Sequence, residues 1–252
     1  KEKGKIIIIR VDNLLEDRKN RNTGMPRLKE FAKLADVIVY QSEWAKKLLS
    51  PLIGNGVVIH NGVDTDIFYP RKEPKTWDNI RIFYSKYSRN EVKQFHEVQY
   101  WWREYCLEKK DDTLVLAGKF ADDYLKIEHP FDFHNEENYE YKGVIMDNIT
   151  LANIMRNCDC AFLPYMFDAC SNTILEAQAC GLPVIFSATG GTTEIVDCGI
   201  KIDYRMSPKE MVEFAIKNKV MFEIFKDKFG LDTMGEKYDA LIKTICMPTH
   251  EV

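Results

Sequence analysis

Two carboxylates, Asp168 and Glu176, stand eight positions apart in the run DACSNTILE (168–176). The polar residues between them suit a loop that opens into a helix. Ser171 or Asn172 can serve as N-cap, because either side chain can accept from a free amide of the first turn. Gly181 supplies a C-terminal stop, and Leu182-Pro183 begins the next extended run. A helix that opens this way offers unpaired N–H groups and the positive end of its dipole, which suits a phosphate. Glu176 falls one turn further in, where a carboxylate can accept hydrogen bonds from vicinal hydroxyls. Phosphate and diol on one helix describe a nucleotide-sugar site. By spacing alone, however, the same residues also fit two unrelated acids, and the GGTTE that follows (190–194) fits a simple turn.

The elements that must position these residues alternate in type. Short apolar strands are predicted at 5–11, 37–40 and 57–60. A second series follows at 80–85, 113–117, 141–145, 160–164, 183–187 and 199–202. Amphipathic spacing predicts helices between them, over 91–109 and 147–157 and from Ser207, where Ser-Pro-Lys-Glu forms a capping box with Pro at the first helical position. Ser42 is placed to cap a helix bearing Trp44, Leu48 and Leu49. Residues 13–23 read as a polar loop and 70–79, with two prolines, as a linker. The aromatic series Phe95, Trp101, Trp102 and Tyr105 recurs at helical spacing and reads as a core-facing stripe. Such alternation implies a mostly parallel sheet covered on both faces, with ligands beyond the carboxyl ends of its strands. Residues 86–93, 168–172 and 190–194 all lie there.

Composition narrows the function class. The 252 residues carry a formal charge of −4, the wrong sign for a dedicated nucleic-acid binder. No apolar run approaches the roughly 18 residues of a membrane span, and no signal peptide is evident. The seven cysteines are odd in number and irregularly spaced, so free thiols in a cytoplasmic protein are expected. The histidines show no ligand spacing, and Cys158-x-Cys160 is too close and too poor in companions for zinc. No metal site and no cofactor are expected.

DACSNTILEAQACGLPVI followed by GGTTEIV resembles the donor-site region of retaining glycosyltransferases of family 4, which have the GT-B fold. NGVDTDIFYP (61–70) resembles the interdomain segment of that family, ADVIVYQSEWAKKLL (35–49) the strand and helix before it, and YSRNEVKQF (87–95) its diphosphate-binding loop. Two departures stand out. Asp168 replaces the family's usual Glu, and only about sixty residues precede the NGVD segment, where the family has a full acceptor domain. The resemblance implies an α/β, GT-B-like chain: a Rossmann-type parallel-sheet donor domain with a truncated N-terminal α/β lobe. Residues 1–70 would form that lobe, 71–225 the donor domain, and 226–252 a C-terminal helix crossing back.

The resemblance also implies roles. Lys93 and Arg89 would bind the diphosphate and stabilise it as leaving group, with Lys86 the alternative to Arg89. Asp168 would contact the transferred sugar or lie near its anomeric carbon, and Glu176 would accept from the ribose hydroxyls. The amides of Ser171 and Asn172 would face the phosphates. Gly190 and Gly191 would let backbone approach the sugar, and Val144 would border the base. No metal is demanded, since Arg and Lys stand in for the divalent ion. The donor would be a nucleotide-diphosphate sugar. The acceptor could be a glycan, a lipid or a small molecule, reached with or without peripheral membrane contact. The rival reading is a non-catalytic nucleotide-sugar-binding module, or one half of a split enzyme whose partner chain supplies the acceptor lobe. An epimerase on the same fold is a weaker third.

Overall fold

In the computed structural model, residues 5–11, 24–86, 91–119, 138–218 and 220–246 are described. The expected polar loop at 13–23 lies outside them. Two parallel sheets organise the chain. The first has three strands in sequence order: β1 (Ile8–Val11), β2 (Val37–Tyr40) and β3 (Val57–Val58). Helices α1 (Gly24–Ala32) and α2 (Glu43–Ile53) alternate with these strands. Ser42 caps α2, its Oγ accepting from the Ala45 amide at 3.1 Å. A small cluster comprising Val11, Ala32, Ile38, Tyr40, Leu49 and Ile53 forms the core of this lobe.

The second sheet holds β4 (Arg81–Lys86), β5 (Thr113–Gly118), β6 (Tyr139–Tyr141), β7 (Cys160–Leu163), β8 (Val184–Phe186) and β9 (Gly199–Lys201). Their order is β6-β5-β4-β7-β8-β9, and every pairing is parallel. The chain therefore builds outward from β4 in one direction, then reverses and builds outward from β7 in the other. That reversal opens a crevice between the carboxyl ends of β4 and β7, where a ligand can enter without displacing a crossover. Helices α3 (Phe95–Cys106), α4 (Asn148–Arg156), α5 (Asn172–Ala179), α6 (Thr192–Ile195), α7 (Pro208–Lys217) and α8 (Phe222–Phe229) follow in chain order. Both Asp147 at α4 and Ser207 at α7 make side-chain caps, the latter in a complete capping box.

The aromatic stripe on α3 faces inward as its spacing predicts. Trp101 stacks on Phe162 of β7 at 4.2 Å between centroids, and Trp102 is almost fully buried. Two elements differ from the sequence reading. The helix expected over 91–109 begins at Phe95, after a 3-10 turn at Glu91–Lys93, because Gln94 takes a left-handed conformation (φ +52°) that interrupts the α-helix. The strand expected at 141–145 lies earlier, at Tyr139–Tyr141. It pairs with β5, Tyr139 opposite Leu114, and both Arg81 terminal nitrogens donate to the Glu140 carboxylate at 2.8 Å.

The proline-containing segment 70–79 is fastened to the larger sheet. Asp159 Oδ2 accepts from Lys75 Nζ, Trp77 Nε1 and the Arg81 amide. Arg156 reaches back to the Ile67 carbonyl and lies over the Tyr69 ring. The chain end returns to the smaller lobe: Val63 and Gly230 form an isolated parallel bridge, and helix α9 (Leu231–Cys246) runs on from it. Arg10 donates to Tyr238 Oη at 3.1 Å, and the Gly62 amide points at Met234 Sδ.

No residue of α9 is buried, whereas Phe225 and Phe229 of α8 belong to the large core. A chain ending at Gly230 should therefore keep the core of the larger sheet while loosening the small lobe. Hydrogen exchange should show β1 and β2 amides losing protection with β4, β5 and β7 unchanged. Equal protection of β1 and β2 in both chains would show that α9 does not brace the lobe.

Candidate active site

At the crevice, Tyr84 in β4 and Tyr165 just after β7 prepare the place for a cation. Tyr84 Oη donates to the Lys93 carbonyl at 2.9 Å, which fixes the 3-10 turn. Lys93 Nζ lies 3.6 Å from the centroid of the Tyr165 ring and 3.0 Å from Asp168 Oδ2. Tyr165 is held in turn by donating to the Ser85 carbonyl at 2.6 Å. The ammonium is thus presented on an aromatic face with one carboxylate beside it, an arrangement that orients a charge without quenching it. Asp168 is the first charged residue after β7, and its Oδ1 accepts from the Cys170 amide.

Helix α5 starts immediately beyond. Ser171 is its N-cap by position but makes no capping hydrogen bond, and its buried Oγ has no partner among the described residues. The Asn172 and Thr173 amides likewise find no acceptor there. Ser171 is buried whereas Asn172 is exposed and Thr173 half-buried, so the first-turn amides are open to a ligand, and the buried Ser171 hydroxyl costs stability unless something fills its bond. Asn172 instead turns its Oδ1 toward Asn61 Nδ2, 2.5 Å away. One turn into α5, burial pushes the Glu176 carboxyl up to about 7 despite the opposing pull of Lys93. No hydrogen bond reaches that carboxylate among the described residues.

These groups surround a cavity of about 620 Å³ between the lobes. The larger unit contributes Lys86, Lys93, Tyr165, Asp168 and residues 170–173. The smaller lobe contributes Arg10, Gln41 and Asn61, and α9 contributes Met234. Lys93, Asp168, Ser171 and Asn172 are therefore brought together, with Glu176 behind them. Val144 lies apart, 48% exposed on the segment after β6. Arg89 lies outside the described residues; Lys86, its alternative, lines the cavity. Arg10, Gln41 and Asn61 are additions that sequence reasoning missed. Asn61 sits inside the NGVD motif, and Arg10 is the single charge in an otherwise apolar strand.

Gly190 and Gly191 are required by contacts within the protein. A Cβ on Gly190, whose φ is +66°, would come 2.5 Å from the Asp168 carbonyl. One on Gly191 would meet the Ala169 carbonyl at 2.0 Å and Ser42 Oγ at 2.6 Å. The Gly191 amide donates to the Asp168 carbonyl at 2.9 Å. Glu194 then reaches across the cleft. Its two oxygens accept from the Glu43 and Trp44 amides at 2.8 Å, the open N-terminus of α2, and His60 Nε2 lies 3.1 Å away. The GGTTE run therefore joins the lobes as well as shaping the Asp168 loop. Among the described residues no group of three or more His, Cys, Asp and Glu side chains could hold a metal, all the cysteines are free, and no helix is long and apolar enough to cross a membrane.

The raised Glu176 carboxyl makes stability depend on pH. Between its ordinary value of 4.5 and about 7 the folded chain holds a proton that the unfolded chain has released. Stability contributed by this group is complete below 4.5, falls as pH rises to about 7, and is flat beyond. The loss should be about 3 kcal/mol, since each tenfold difference in proton affinity is worth about 1.4 kcal/mol. Urea unfolding at pH 5 and pH 8 should show Glu176→Gln gaining on the original chain at the higher pH. A difference between the two that is independent of pH would remove the buried proton.

The residues from 82 to 218, more than half of the chain, match the family model "Glycosyl transferases group 1". No curated protein sequence matches significantly. Among solved structures, Anabaena Alr3699/HepE, determined in complex with UDP-glucose, aligns with a TM-score of 0.74 at 16% identity, covering 95% of this chain and 72% of that one. Sucrose-phosphate synthase from Thermosynechococcus elongatus aligns at 0.71 and 17% identity over 94% and 67%. A GtfA/B complex aligns at 0.66 and 14% over 87% and 47%. At such identities the likeness speaks for the fold, the two-lobed GT-B architecture. The family match covers β4 to α7 and with them the crevice, Lys93, Asp168 and the N-terminus of α5: the chain belongs to the group 1 glycosyl transferases.

Proposed function

We propose that the chain is a retaining glycosyltransferase of family 4, moving a sugar from a nucleoside diphosphate sugar to a hydroxyl of a glycan, lipid or small molecule. The open N-terminus of α5 beside Lys93 carries this reading: unpaired amides, an unpartnered Ser171 hydroxyl and an ammonium converge on one cavity. A diphosphate satisfies all three. Glu176, buried and without a hydrogen-bond partner among the described residues, would accept from ribose hydroxyls. Such hydroxyls would favour its ionised form, so binding below pH 7 would release a proton. Asp168 would contact the transferred sugar, Val144 would border the base, and Gly190 and Gly191 would let the sugar lie close. Arg89, by resemblance, would add a second cation.

Retention follows if the acceptor attacks from the face that the diphosphate leaves. The bond from the anomeric carbon to the phosphate oxygen breaks, and the bond to the acceptor oxygen forms. The acceptor proton passes to the departing phosphate oxygen. Lys93 and the α5 amides stabilise the negative charge that grows there. No metal need take part, because the cations and amides already oppose the charge. Such an enzyme would work in the cytoplasm, with or without peripheral membrane contact.

A second reading has one observation in its favour. The small lobe has only three strands among the described residues, and one structural neighbour was solved as a complex of two proteins. The chain would then bind a nucleotide sugar while a partner chain supplies the acceptor side. Slow donor hydrolysis or transfer by the chain alone supports an enzyme; binding without either supports the module.

Glu176→Ala should weaken nucleoside diphosphate binding about ten- to a hundredfold, from 1.5–3 kcal/mol of lost hydrogen bonding. Calorimetry showing unchanged affinity would take Glu176 out of the ribose site.

Lys93→Ala should lower turnover at saturating donor far more than it weakens binding of the sugar, since leaving-group charge is greatest in the transition state. An unaltered rate constant would leave Lys93 as a packing residue of the Tyr165 face.

A further inference from the structure

Phe167, the residue before Asp168, has φ +55°, a left-handed conformation that a bulky side chain avoids. Burial of the ring does not explain it, because Phe167 is 48% exposed. The backbone is held there from elsewhere: the Phe167 amide donates to Thr189 Oγ1 at 3.1 Å, and the next carbonyl accepts from Gly191. Across the cleft stands Trp44 of α2, its ring centroid 6.5 Å from that of Phe167 and the planes 23° apart. The Trp44 amide is itself held by Glu194. One segment, 189–194, therefore fixes both aromatic residues from both lobes. Neither ring lines the cavity itself, but Phe167 directly precedes Asp168 of its wall and Trp44 follows Gln41 of its wall by three residues.

We propose that Trp44 and Phe167 form an acceptor platform on which the apolar face of a pyranose ring stacks, so that the acceptor is a sugar with its reacting hydroxyl turned toward Asp168. The inference rests on the donor reading above and extends it to the other substrate. A pyranose has a C–H face and a polar rim. The rings suit the face, and Asp168, next in the chain to Phe167 and on the cavity wall, suits the rim. A lipid chain would instead need an apolar wall to continue from the rings, and the cavity wall beside them carries Arg10, Gln41 and Asn61. A backbone held against its preference to expose an aromatic ring is the kind of strain that persists where a ligand uses it.

Calorimetry with UDP, GDP and ADP first defines the loaded state. Failure of all three to bind overturns the donor reading, and the platform is then tested on the free chain. Saturation-transfer NMR with irradiation of aromatic protons should label the ring protons of at least one methyl glycoside of glucose, galactose, mannose or N-acetylglucosamine. The signal should fall at least fivefold in Phe167→Gly and in Trp44→Leu, and persist in Phe167→Tyr. Glycine suits φ +55°, so the first variant loses the ring while relieving the backbone. Nucleotide affinity within about twofold of the original chain, a discrimination of well under 1 kcal/mol, shows that the larger unit is intact. The platform is overturned if no glycoside is labelled, if both ring-deleting variants keep the signal, or if octyl glucoside is labelled on its chain alone.

Discussion

Glu194 leaves the larger unit on a four-residue helix and places both carboxylate oxygens on the smaller lobe. There it meets two free amides at the start of α2, where the helix dipole favours a negative charge, and the ring of His60 completes the contact. Charge-assisted bonds of this kind are individually worth about 1.5–3 kcal/mol. Their importance here is geometric, because the cleft exists only while the two sheets keep this distance. Ser42 packs so near Gly191 that no side chain fits between them, and the same glycine holds the Asp168 carbonyl. Lobe closure and the shape of the Asp168 loop are thus one constraint, with Glu194 at its far end.

On the near side of that constraint, charge is arranged by aromatic groups. Tyr84 fixes the Lys93 backbone and Tyr165 supports its ammonium, so neither depends on a ligand for its place. Preorganisation of this kind lets a cation act on growing charge without first reorienting. The carboxylates divide by environment. Asp168 pairs with Lys93 at the cavity surface, while Glu176, one turn into α5, is buried enough to keep its proton near neutrality. Two acids eight positions apart in sequence therefore stand in different surroundings, one paired at the cavity surface and one buried without a partner among the described residues.

Local signals in the sequence suffice for much of this. The alternation of strands and helices, the caps at Ser42 and Ser207, the inward stripe from Phe95 to Tyr105 and the opening of a helix at Ser171 all follow from short-range pattern. The strand at Tyr139–Tyr141 falls earlier than local pattern suggests, and its Glu140 is held by Arg81, fifty-nine positions earlier in the chain, a contact that nothing local announces. The break before Phe95 depends on the left-handed Gln94, a residue type that gives no warning of such a conformation. Phe167 is the same case at the site itself. Glu194 is visible as part of a motif, but its partners in α2 are about 150 positions away, and nothing local specifies that distance. Arg10 and Gln41 become cavity residues only when two sheets face one another.

The anchoring of residues 70–79 through Asp159 has a mechanical consequence. A stretch with two prolines would ordinarily be taken as the compliant joint of a two-lobed molecule. Here it behaves as a bracket bolted to the larger body, with Lys75, Trp77 and Arg81 on one carboxylate. The chain crossings near Val63 and Gly230 lie side by side in a parallel bridge, and the two lobes meet again at Glu194 and at Asn61. Bracket, chain crossings and cross-cleft bonds together give the smaller lobe several fastenings to the larger body in place of a loose tether.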